Sequence, residues 1–440
     1  MKIVSPYLHR YITSNGDCLL LEVLQGKFFR VKQEQIPLLD KALEFPDKID
    51  DRHILVENNI IIEDNIDHIQ RCDKLYEDFV NKKDYLHLVI LPTEDCNFRC
   101  SYCYEDHRHN VMSEELMKAV ELYVEKEIGK YQALRVEWFG GEPLYEKEIV
   151  FKLSEKLIAI CKNNKKPYYA SMTTNGYYLS LETFRKLLKC KIVRFQVTLD
   201  GSAPTHDKQR VLETGEGTYG VILSNLLCIR DNIHSNFFNI TIRCNVTSEN
   251  YMELKGFAEE MKENFGNDAR FNFLWKIAWN PQTGNCDTYL DQSALRDVLH
   301  ENAKHALRLE TNKGQLIKYG DICYASNKNS FIIGSDGSVY KCTVAFQDDR
   351  NRVGMLRLDG TMELDNQKIK FWTERKTCFS QNMCYHCFLY PSCLGIYCNL
   401  NNENQDGEFV CSGVKTYVDD YLECIEKCSD MWKYLDLLEE

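Results

Sequence analysis

The strongest constraint on the fold of this 440-residue chain is a regular alternation of strand and helix patterns that begins at Tyr85. Short apolar runs predict strands, and helical patterns follow them, the first opening with Ser113 as its N-cap. Six successive strands of this kind predict a parallel sheet with helices outside it, either barrel-like or doubly wound. The predicted strands are LHLVILPT, ALRVEWFGGEP, YYASMTTNG, IVRFQVTLDG, FFNITIRCNV and ARFNFLWKIAW.

Polar and glycine-rich segments follow directly after these predicted strands. A cysteine cluster comes after the first strand, Gly140-Gly141-Glu142-Pro143 after the second, Thr173 to Gly176 after the third and Asp200-Gly201 after the fourth. The carboxyl ends of the strands face the active site in such folds. We therefore expect these segments to surround one site.

The first 84 residues predict a separate small module. Two apolar runs joined at positions 25–26 predict a hairpin, and a helical pattern follows with Pro37 in its first turn. One or two further short strands are expected around positions 58–59, and a helix or linker is expected over 63–84. These elements predict a winged-helix-like module.

Beyond about residue 320 the alternation stops, and short strands, turns and cysteines take its place. This composition is typical of a domain that metal organises rather than a large core. The sequence therefore predicts three domains, a module and linker at 1–84, an α/β domain that is barrel-like or doubly wound at 85–310 and a cysteine-rich domain at 311–440.

Charge and hydropathy exclude several classes of partner. The net charge of −12 argues against nucleic acid or an anionic membrane as the main partner. No apolar run is long enough to span a bilayer, and the first residues contain no apolar signal core. We therefore expect a cytosolic protein. In that compartment the 20 cysteines are explained better as metal ligands and buried side chains than as disulfides.

Cys96, Cys100 and Cys103 stand within the stretch EDCNFRCSYCYED. A loop with these spacings can wrap three thiolates around one face of a compact inorganic cluster. Zinc sites prefer two paired CxxC clips, and no second clip follows nearby. A [4Fe–4S] cluster with three cysteine ligands leaves one iron open to bind another molecule.

This spacing, with aromatic Tyr102 before the last cysteine, resembles the radical SAM superfamily. The resemblance implies that the α/β domain at 85–310 is a partial (β/α)6 barrel of TIM type. It also implies that the open iron chelates S-adenosylmethionine (SAM), and that reductive SAM cleavage gives a 5′-deoxyadenosyl radical that abstracts a substrate hydrogen. Further segments resemble that family's SAM-binding motifs, with a carboxylate for the methionyl ammonium and a guanidinium for the carboxylate. The SAM-binding residues implied in this way are Gly140, Gly141, Glu142, Thr198 and Arg210.

The cysteine order of the tail resembles the SPASM domain, which carries auxiliary [4Fe–4S] clusters and would bring the total to three clusters. The resemblance implies two ligand sets: Cys323, Cys342 and Cys398 for cluster I, and Cys384, Cys387, Cys393 and Cys411 for cluster II. Cluster I then has an open iron, or Cys286 or Cys378 supplies its fourth ligand. The alternative is a zinc ribbon, since CxxC pairs also bind zinc.

Three functions remain open on the sequence. The first is a maturase that binds a precursor peptide through its leader at the N-terminal module, by strand addition to a sheet edge, and installs a thioether or carbon–carbon crosslink. The second is an anaerobic sulfatase maturase. By resemblance, such enzymes place an Asp directly after the cysteine that matches Cys342, and this chain has Thr343 at that position. The third is a non-catalytic iron–sulfur sensor or electron carrier. Either enzyme needs a reducing partner such as flavodoxin or ferredoxin, and the sequence identifies no general base.

Overall fold

A computed structural model describes residues 1–64, 67–278, 323–374, 384, 386–394, 398–400, 415, 418–426 and 433–437. The chain divides into two compact units. The first comprises 1–80, 311–324 and 374–440, and the second comprises 81–310 and 325–373.

The strands, in chain order, are β1 Lys2–Val4, β2 Leu8–Ile12, β3 Cys18–Glu22, β4 Lys27–Val31, β5 Ile61–Glu63, β6 Tyr85–Ile90, β7 Phe98–Cys100, β8 Ala133–Trp138, β9 Tyr168–Thr174, β10 Ile192–Thr198, β11 Arg210–Leu212, β12 Asn239–Val246, β13 Phe271–Ile277, β14 Ser330–Ile333, β15 Ser338–Tyr340, β16 Arg352–Leu356, β17 Met362–Leu364 and β18 Lys433–Tyr434.

The α-helices are α1 Ile36–Glu44, α2 Ile54–Glu57, α3 His68–Asn81, α4 Glu114–Glu127, α5 Lys147–Asn163, α6 Leu181–Lys189, α7 Ala203–Gln209, α8 Tyr219–Asn232, α9 Leu254–Phe265, α10 Asn366–Thr373, α11 Tyr390–Cys393 and α12 Val418–Glu426. Short 3-10 helices occupy Gln33–Gln35, Pro46–Lys48, Ile128–Lys130, Pro143–Glu146, Tyr251–Glu253 and Tyr324–Ser326. Among the helices described, none is long and apolar enough to cross a bilayer.

The second unit confirms the predicted partial barrel. Its sheet has the order β13-β12-β10-β9-β8-β6-β14-β15-β16-β17, and every neighbouring pair from β13 to β14 is parallel. The strands alternate, as on β8, where Leu134, Val136 and Trp138 are buried while Arg135 is exposed and Glu137 half-buried. Helices cover the apolar face, since a parallel sheet buries that face against its crossover helices.

The barrel sheet continues past the point where the sequence pattern changes. β14 pairs in parallel with the free side of β6, with Ser330 opposite His87, and β15 to β17 extend the sheet as antiparallel hairpins. The predicted domain at 311–440 is therefore divided, because residues 325–373 belong to the barrel unit. The pairing of β14 with β6 joins distant segments, which local periodicity does not reveal.

The N-terminal module contains the predicted hairpin, in which β3 and β4 are joined through Gly26 at φ +64°. Pro37 lies in the first turn of α1, as predicted. Of the one or two short strands expected around positions 58–59, the structure contains one, β5. Ile54–Glu57 instead forms the helix α2, which begins where the His53 side chain accepts a hydrogen bond from the Leu55 backbone. A left-handed residue at Asn59 then redirects the chain into β5, which pairs with β1.

Lys341 is a fully buried cation whose removal tests the hairpin extension of the barrel. Its ammonium donates to the backbone carbonyls of Asn327 and Ser330 at 2.5 and 2.7 Å. We expect Lys341→Met to lower the free energy of unfolding by about 1 to 3 kcal/mol, because the buried carbonyls lose a charged donor.

Thermal or urea unfolding of the purified protein measures this change. The matched control is Lys328→Met, since the Lys328 ammonium contacts Asn81 at the surface, and its effect should stay within about 0.5 kcal/mol. Equal effects of the two substitutions would contradict the prediction.

Candidate active site

A pocket at the carboxyl ends of the barrel strands brings together the three cysteines of the CxxxCxxC loop and four of the five residues expected to bind SAM. The thiols differ in depth, since Cys96 is buried, Cys100 half-buried and Cys103 exposed. The residues that line the pocket are Cys96, Phe98, Cys100, Tyr102, Cys103, Tyr104, Glu105, His107, Phe139, Gly140, Gly141, Thr173, Thr174, Asn175, Thr198 and Arg210. Glu142 is the one predicted member of the SAM-binding set that does not line this pocket.

A two-stranded ribbon fixes the cysteine loop against Arg210. β7 pairs antiparallel with β11, which sets Cys100 opposite Arg210. Two further backbone bonds extend the ribbon, from Ser101 N–H to the Gln209 carbonyl at 2.9 Å and from Glu213 N–H to the Asn97 carbonyl at 3.0 Å. Main-chain hydrogen bonds thus bring two distant predicted site residues to one wall of the pocket.

Gly140 and Gly141 pack against the backbone that leads into the cysteine loop. Gly140 has φ +118°, and a Cβ there would overlap the Thr93 carbonyl oxygen. A Cβ on Gly141 would overlap the Asp95 carbonyl oxygen, which also accepts a hydrogen bond from Glu142 N–H at 2.9 Å. The direct packing of two backbone segments requires glycine at both positions, and the expected contact of these glycines with SAM stays a prediction.

Glu142 connects the ends of β8 and β9. Its buried carboxylate accepts hydrogen bonds from Leu144 N–H at 2.9 Å, from the Thr174 hydroxyl at 2.7 Å and from Asn175 N–H at 2.6 Å. Burial raises its pKa to about 7 although these donors oppose the shift. The Asn175 side-chain amide then donates to Asn97 at 2.8 Å. Glu142 therefore positions the cysteine loop through Asn175, and its expected contact with SAM stays a prediction.

Arg210 lies in the pocket wall in a fixed orientation. Its guanidinium donates to the Tyr102 hydroxyl at 2.7 Å, lies 3.7 Å from the buried Asp200 carboxylate and stacks 5.5 Å from the Phe98 ring centre. The Tyr102 hydroxyl in turn donates to Asp200 and accepts a bond from the Asn245 amide. The Nε–H of Arg210 is buried and has no hydrogen-bond partner among the described residues. An unsatisfied guanidinium donor of this kind fits a carboxylate ligand.

A buried hydrogen-bond chain supports Arg210 from behind. Asp200 N–H donates to Nδ1 of His206, and Nε2 of His206 lies 3.0 Å from the Thr218 hydroxyl, which donates to the Arg210 carbonyl at 2.7 Å. Burial lowers the pKa of His206, so the ring is neutral and carries its proton on Nε2. These hydrogen bonds hold the backbone of Arg210, while Tyr102 and Asp200 hold its side chain.

The three thiols fit an iron–sulfur cluster better than a single metal ion. Burial raises the pKa of Cys96 and of Cys100, so these thiolates need a bound cation to be stable. In the part of the chain that the structure describes, no three His, Cys, Asp or Glu side chains converge closely enough for one metal ion. Three sulfurs spread along one pocket wall suit a larger inorganic cluster.

A second polar cavity adjoins the pocket on the inner face of the barrel. The two share Phe139 and Thr173 as wall residues. Burial alone would raise the pKa of Glu137, but His87 and Arg135 outweigh it and lower the pKa to about 2. The other polar residues of this cavity are Arg135, Ser171, Arg194, Gln196, Asn239 and Thr241. The polar face of the barrel therefore offers space for a substrate beside the cysteine pocket.

The tail cysteines are only partly within the described residues. Cys342 follows β15, and Asn351 holds its backbone, accepting from Cys342 N–H and donating to the Cys342 carbonyl, both at 2.8 Å. Cys387 N–H bonds the Cys384 carbonyl at 3.0 Å in one tight turn, and Cys393 ends the short helix α11. Cys323 and Cys398 lie within the described residues, whereas Cys286, Cys378 and Cys411 lie outside them. The two auxiliary ligand sets stay predictions.

Some residues of the site carry no signal in the sequence. The Phe98 ring stacks with Arg210, Asn245 donates to the Tyr102 hydroxyl and Arg194 lines the second cavity, and no spacing motif marks any of them. Asn245 could have been found, because it stands at the carboxyl end of the fifth barrel strand, where the other site residues also lie.

Comparisons with known proteins agree with this geometry. Residues 90–258 match the model of the radical SAM superfamily. A GTP 3′,8-cyclase of Aliarcobacter butzleri (strain RM4018) is 34% identical over 133 residues, which is 29% of this chain and 37% of that protein. The enzyme of the same name from Clostridium perfringens (strain 13 / Type A) is 32% identical over 157 residues, 34% of this chain and 44% of that protein. The chain thus matches less than half the length of these relatives.

Two solved structures share the fold over a longer span. The structure of anSMEcpe with AdoMet and the Kp18Cys peptide has a TM-score of 0.59 at 19% identity, covering 78% of this chain and 97% of that chain. The structure of Streptococcus suis SuiB bound to precursor peptide SuiA has a TM-score of 0.53 at 15% identity, covering 94% of this chain and 99% of that chain.

A radical SAM domain implies one [4Fe–4S] cluster and SAM, and the cysteine pocket has the donors that both require. The family match, the barrel and this pocket lead to one conclusion. Residues 90–258 of this chain are a radical SAM domain.

Proposed function

We propose that this enzyme matures a ribosomally synthesised precursor peptide by installing a thioether or carbon–carbon crosslink. The N-terminal module binds the leader of the peptide, the chain carries three [4Fe–4S] clusters, and flavodoxin or ferredoxin reduces it in the cytosol. The observation that carries the proposal is the fold likeness to SuiB over 94% of this chain, which includes residues that the 78% match to anSMEcpe leaves out.

The pocket supports the chemistry. Bound together, the [4Fe–4S] cluster and SAM supply a 5′-deoxyadenosyl radical. Cys96, Cys100 and Cys103 hold the cluster, and the free Nε–H of Arg210 binds the methionyl carboxylate with Thr198 beside it. Gly140 and Gly141 keep the cysteine loop in place. The substrate residue enters from the polar cavity that meets the pocket at Phe139 and Thr173.

An anaerobic sulfatase maturase is the alternative, because anSMEcpe shares the fold and was solved with a peptide. Thr343 in place of Asp after Cys342 favours the crosslinking proposal. The GTP 3′,8-cyclases match only 27% to 34% of this chain, which is too small a part to carry a proposal about the substrate.

Replacing the three cysteines tests the first cluster and the radical chemistry together. We expect the wild type, reconstituted anaerobically, to hold about twelve irons and to form 5′-deoxyadenosine from SAM. The Cys96→Ala/Cys100→Ala/Cys103→Ala variant should lose about four irons and all SAM cleavage. Iron analysis and chromatography measure both. Cys228→Ala, on helix α8, is the control and should match the wild type. Zinc in place of iron would contradict the prediction.

Arg210→Lys tests the carboxylate contact. An ammonium cannot reproduce the fork geometry of the guanidinium, so the KM for SAM should rise about 10- to 100-fold with a smaller change in kcat. Steady-state 5′-deoxyadenosine formation measures both constants. Arg230→Lys is the control, because Arg230 pairs with Asp231 on α8 outside the pocket. An unchanged KM in Arg210→Lys would reject the assigned role.

Gly141→Ala tests the packing of the cysteine loop. Its Cβ would overlap the Asp95 carbonyl, so the loop must shift, and we expect loss of about four irons and of SAM cleavage. Gly220→Ala is the matched control, since a Cβ there meets no atom within 4 Å. Full iron content in Gly141→Ala would show that the loop tolerates the shift and would contradict the prediction.

The product decides between the two maturase functions. A precursor peptide encoded beside the gene is incubated with enzyme, SAM and reductant, then digested and sequenced by tandem mass spectrometry. A crosslink leaves two peptide fragments joined and inert to hydrazide. A sulfatase maturase instead gives an aldehyde that hydrazide labels, which would replace the proposal with its alternative.

A further inference from the structure

The C-terminal segment of this chain occupies one edge of the module's sheet. The order of that sheet is β18-β4-β3-β2, and β18 pairs in parallel with β4, with Lys433 opposite Phe29 and Tyr434 opposite Arg30. Leu435 N–H continues the pairing to the Arg30 carbonyl at 3.0 Å. We call residues 433–437 the tail strand.

The tail strand inserts two apolar side chains into the module. Leu435 and Leu437 are only 2% and 8% exposed, and they belong to the same core cluster as Leu20, Phe29 and Leu39. Tyr434, by contrast, is 58% exposed. The edge of β4 therefore has two apolar sites spaced two residues apart, as strand periodicity requires.

The Gln35 side chain binds Asp436, which lies between the two leucines, and the backbone of Leu437. Its side-chain amide donates to the Asp436 carboxylate at 2.7 Å, and its side-chain carbonyl accepts from Leu437 N–H at 3.0 Å. The β4 edge thus binds an apolar–acidic–apolar triplet through the two apolar sites, the Gln35 side chain and the main chain of β4.

The opposite edge of the sheet has a different character. On β2, Arg10 is exposed and contacts Asp40, Ile12 is exposed, and His9 contacts Asp419 at 2.7 Å. Arg10 and His9 of that strand thus contact charged partners, and Leu8 packs against the core cluster. The β4 edge is therefore the one that is built to select a peptide by strand addition.

We propose that the tail strand is a built-in competitor of the substrate leader, and that the leader carries an apolar–acidic–apolar triplet which replaces Leu435, Asp436 and Leu437 on β4. This proposal rests on the proposed function and names the chemistry of the peptide. The Arg30 carbonyl and the two apolar sites accommodate one strand at a time, so tail and leader exclude each other. A tethered segment competes at a high effective concentration, which lowers the apparent affinity for a leader.

The test uses a fluorescein-labelled synthetic peptide with the sequence of residues 433–440, KYLDLLEE, as the probe. Fluorescence anisotropy measures its binding to the full chain and to the Leu435→Ser/Leu437→Ser variant, in which only the tail strand is altered. We expect the variant to bind the probe at least about tenfold more tightly, because its own tail strand no longer occupies the β4 edge. Tyr434→Ser, at the exposed position, is the matched control and should bind like the wild type.

Specificity has its own controls. A KYSDSLEE probe should not bind either protein, and Gln35→Ala in the Leu435→Ser/Leu437→Ser background should weaken binding of the KYLDLLEE probe. Equal affinity of the full chain and the Leu435→Ser/Leu437→Ser variant, or equal binding of the two probes, would overturn the proposal.

Hydrogen exchange covers the case in which the variant misfolds. A chain that ends at residue 432 should keep protected β3 amides, or should regain them when unlabelled KYLDLLEE is added. Loss of protection that the peptide does not restore would make the tail strand a permanent part of the core and overturn the proposal. Neither assay requires SAM, so absent SAM cleavage would reject the proposed function separately from this result.

Discussion

The active site depends on the pairing of β7 with β11. Cys100 and Arg210 come from segments far apart in the sequence, and five residues of backbone on each side, 97–101 and 209–213, join those segments. A ribbon register that slipped by one residue would turn Arg210 away from the pocket, since neighbouring side chains of a strand face opposite sides. The main chain of the ribbon sets the position of the Arg210 guanidinium. Its orientation is then fixed by Tyr102, Asp200 and Asn245.

The cysteine loop is held from the other side by the ends of β8 and β9. Gly140 and Gly141 touch the backbone at Thr93 and Asp95 so closely that no larger residue fits. Burial of the Glu142 carboxylate is unfavourable, and three hydrogen-bond donors offset its cost. A loop fixed on both sides loses little freedom when it binds a cluster, which is the condition for a preorganised site.

The sequence predicted which residues lie in this pocket better than it predicted their contacts. Cys96, Gly140 and Thr198 stand at or after the ends of barrel strands, and parallel topology brings such positions to one edge. Arg210 begins β11 and reaches the pocket through the ribbon with β7, which strand order alone does not predict. The contacts of Glu142 were not predictable, because they depend on Asn175 reaching back to Asn97 across two strand ends. For the same reason the continuation of the barrel sheet through β14 was missed, since pairing between distant segments leaves no local pattern.

The module's sheet poses a different physical problem from the barrel. An unpaired strand edge with two apolar sites next to it exposes donors, acceptors and hydrocarbon, and proteins cover such edges to avoid aggregation. The tail strand covers this one with Leu435 and Leu437. A segment that pairs through only a few backbone bonds can be displaced by a longer peptide that pairs through more. A peptide must then bind β4 more strongly than the tail strand does in order to displace it. The tail strand that covers this edge therefore also discriminates among peptides.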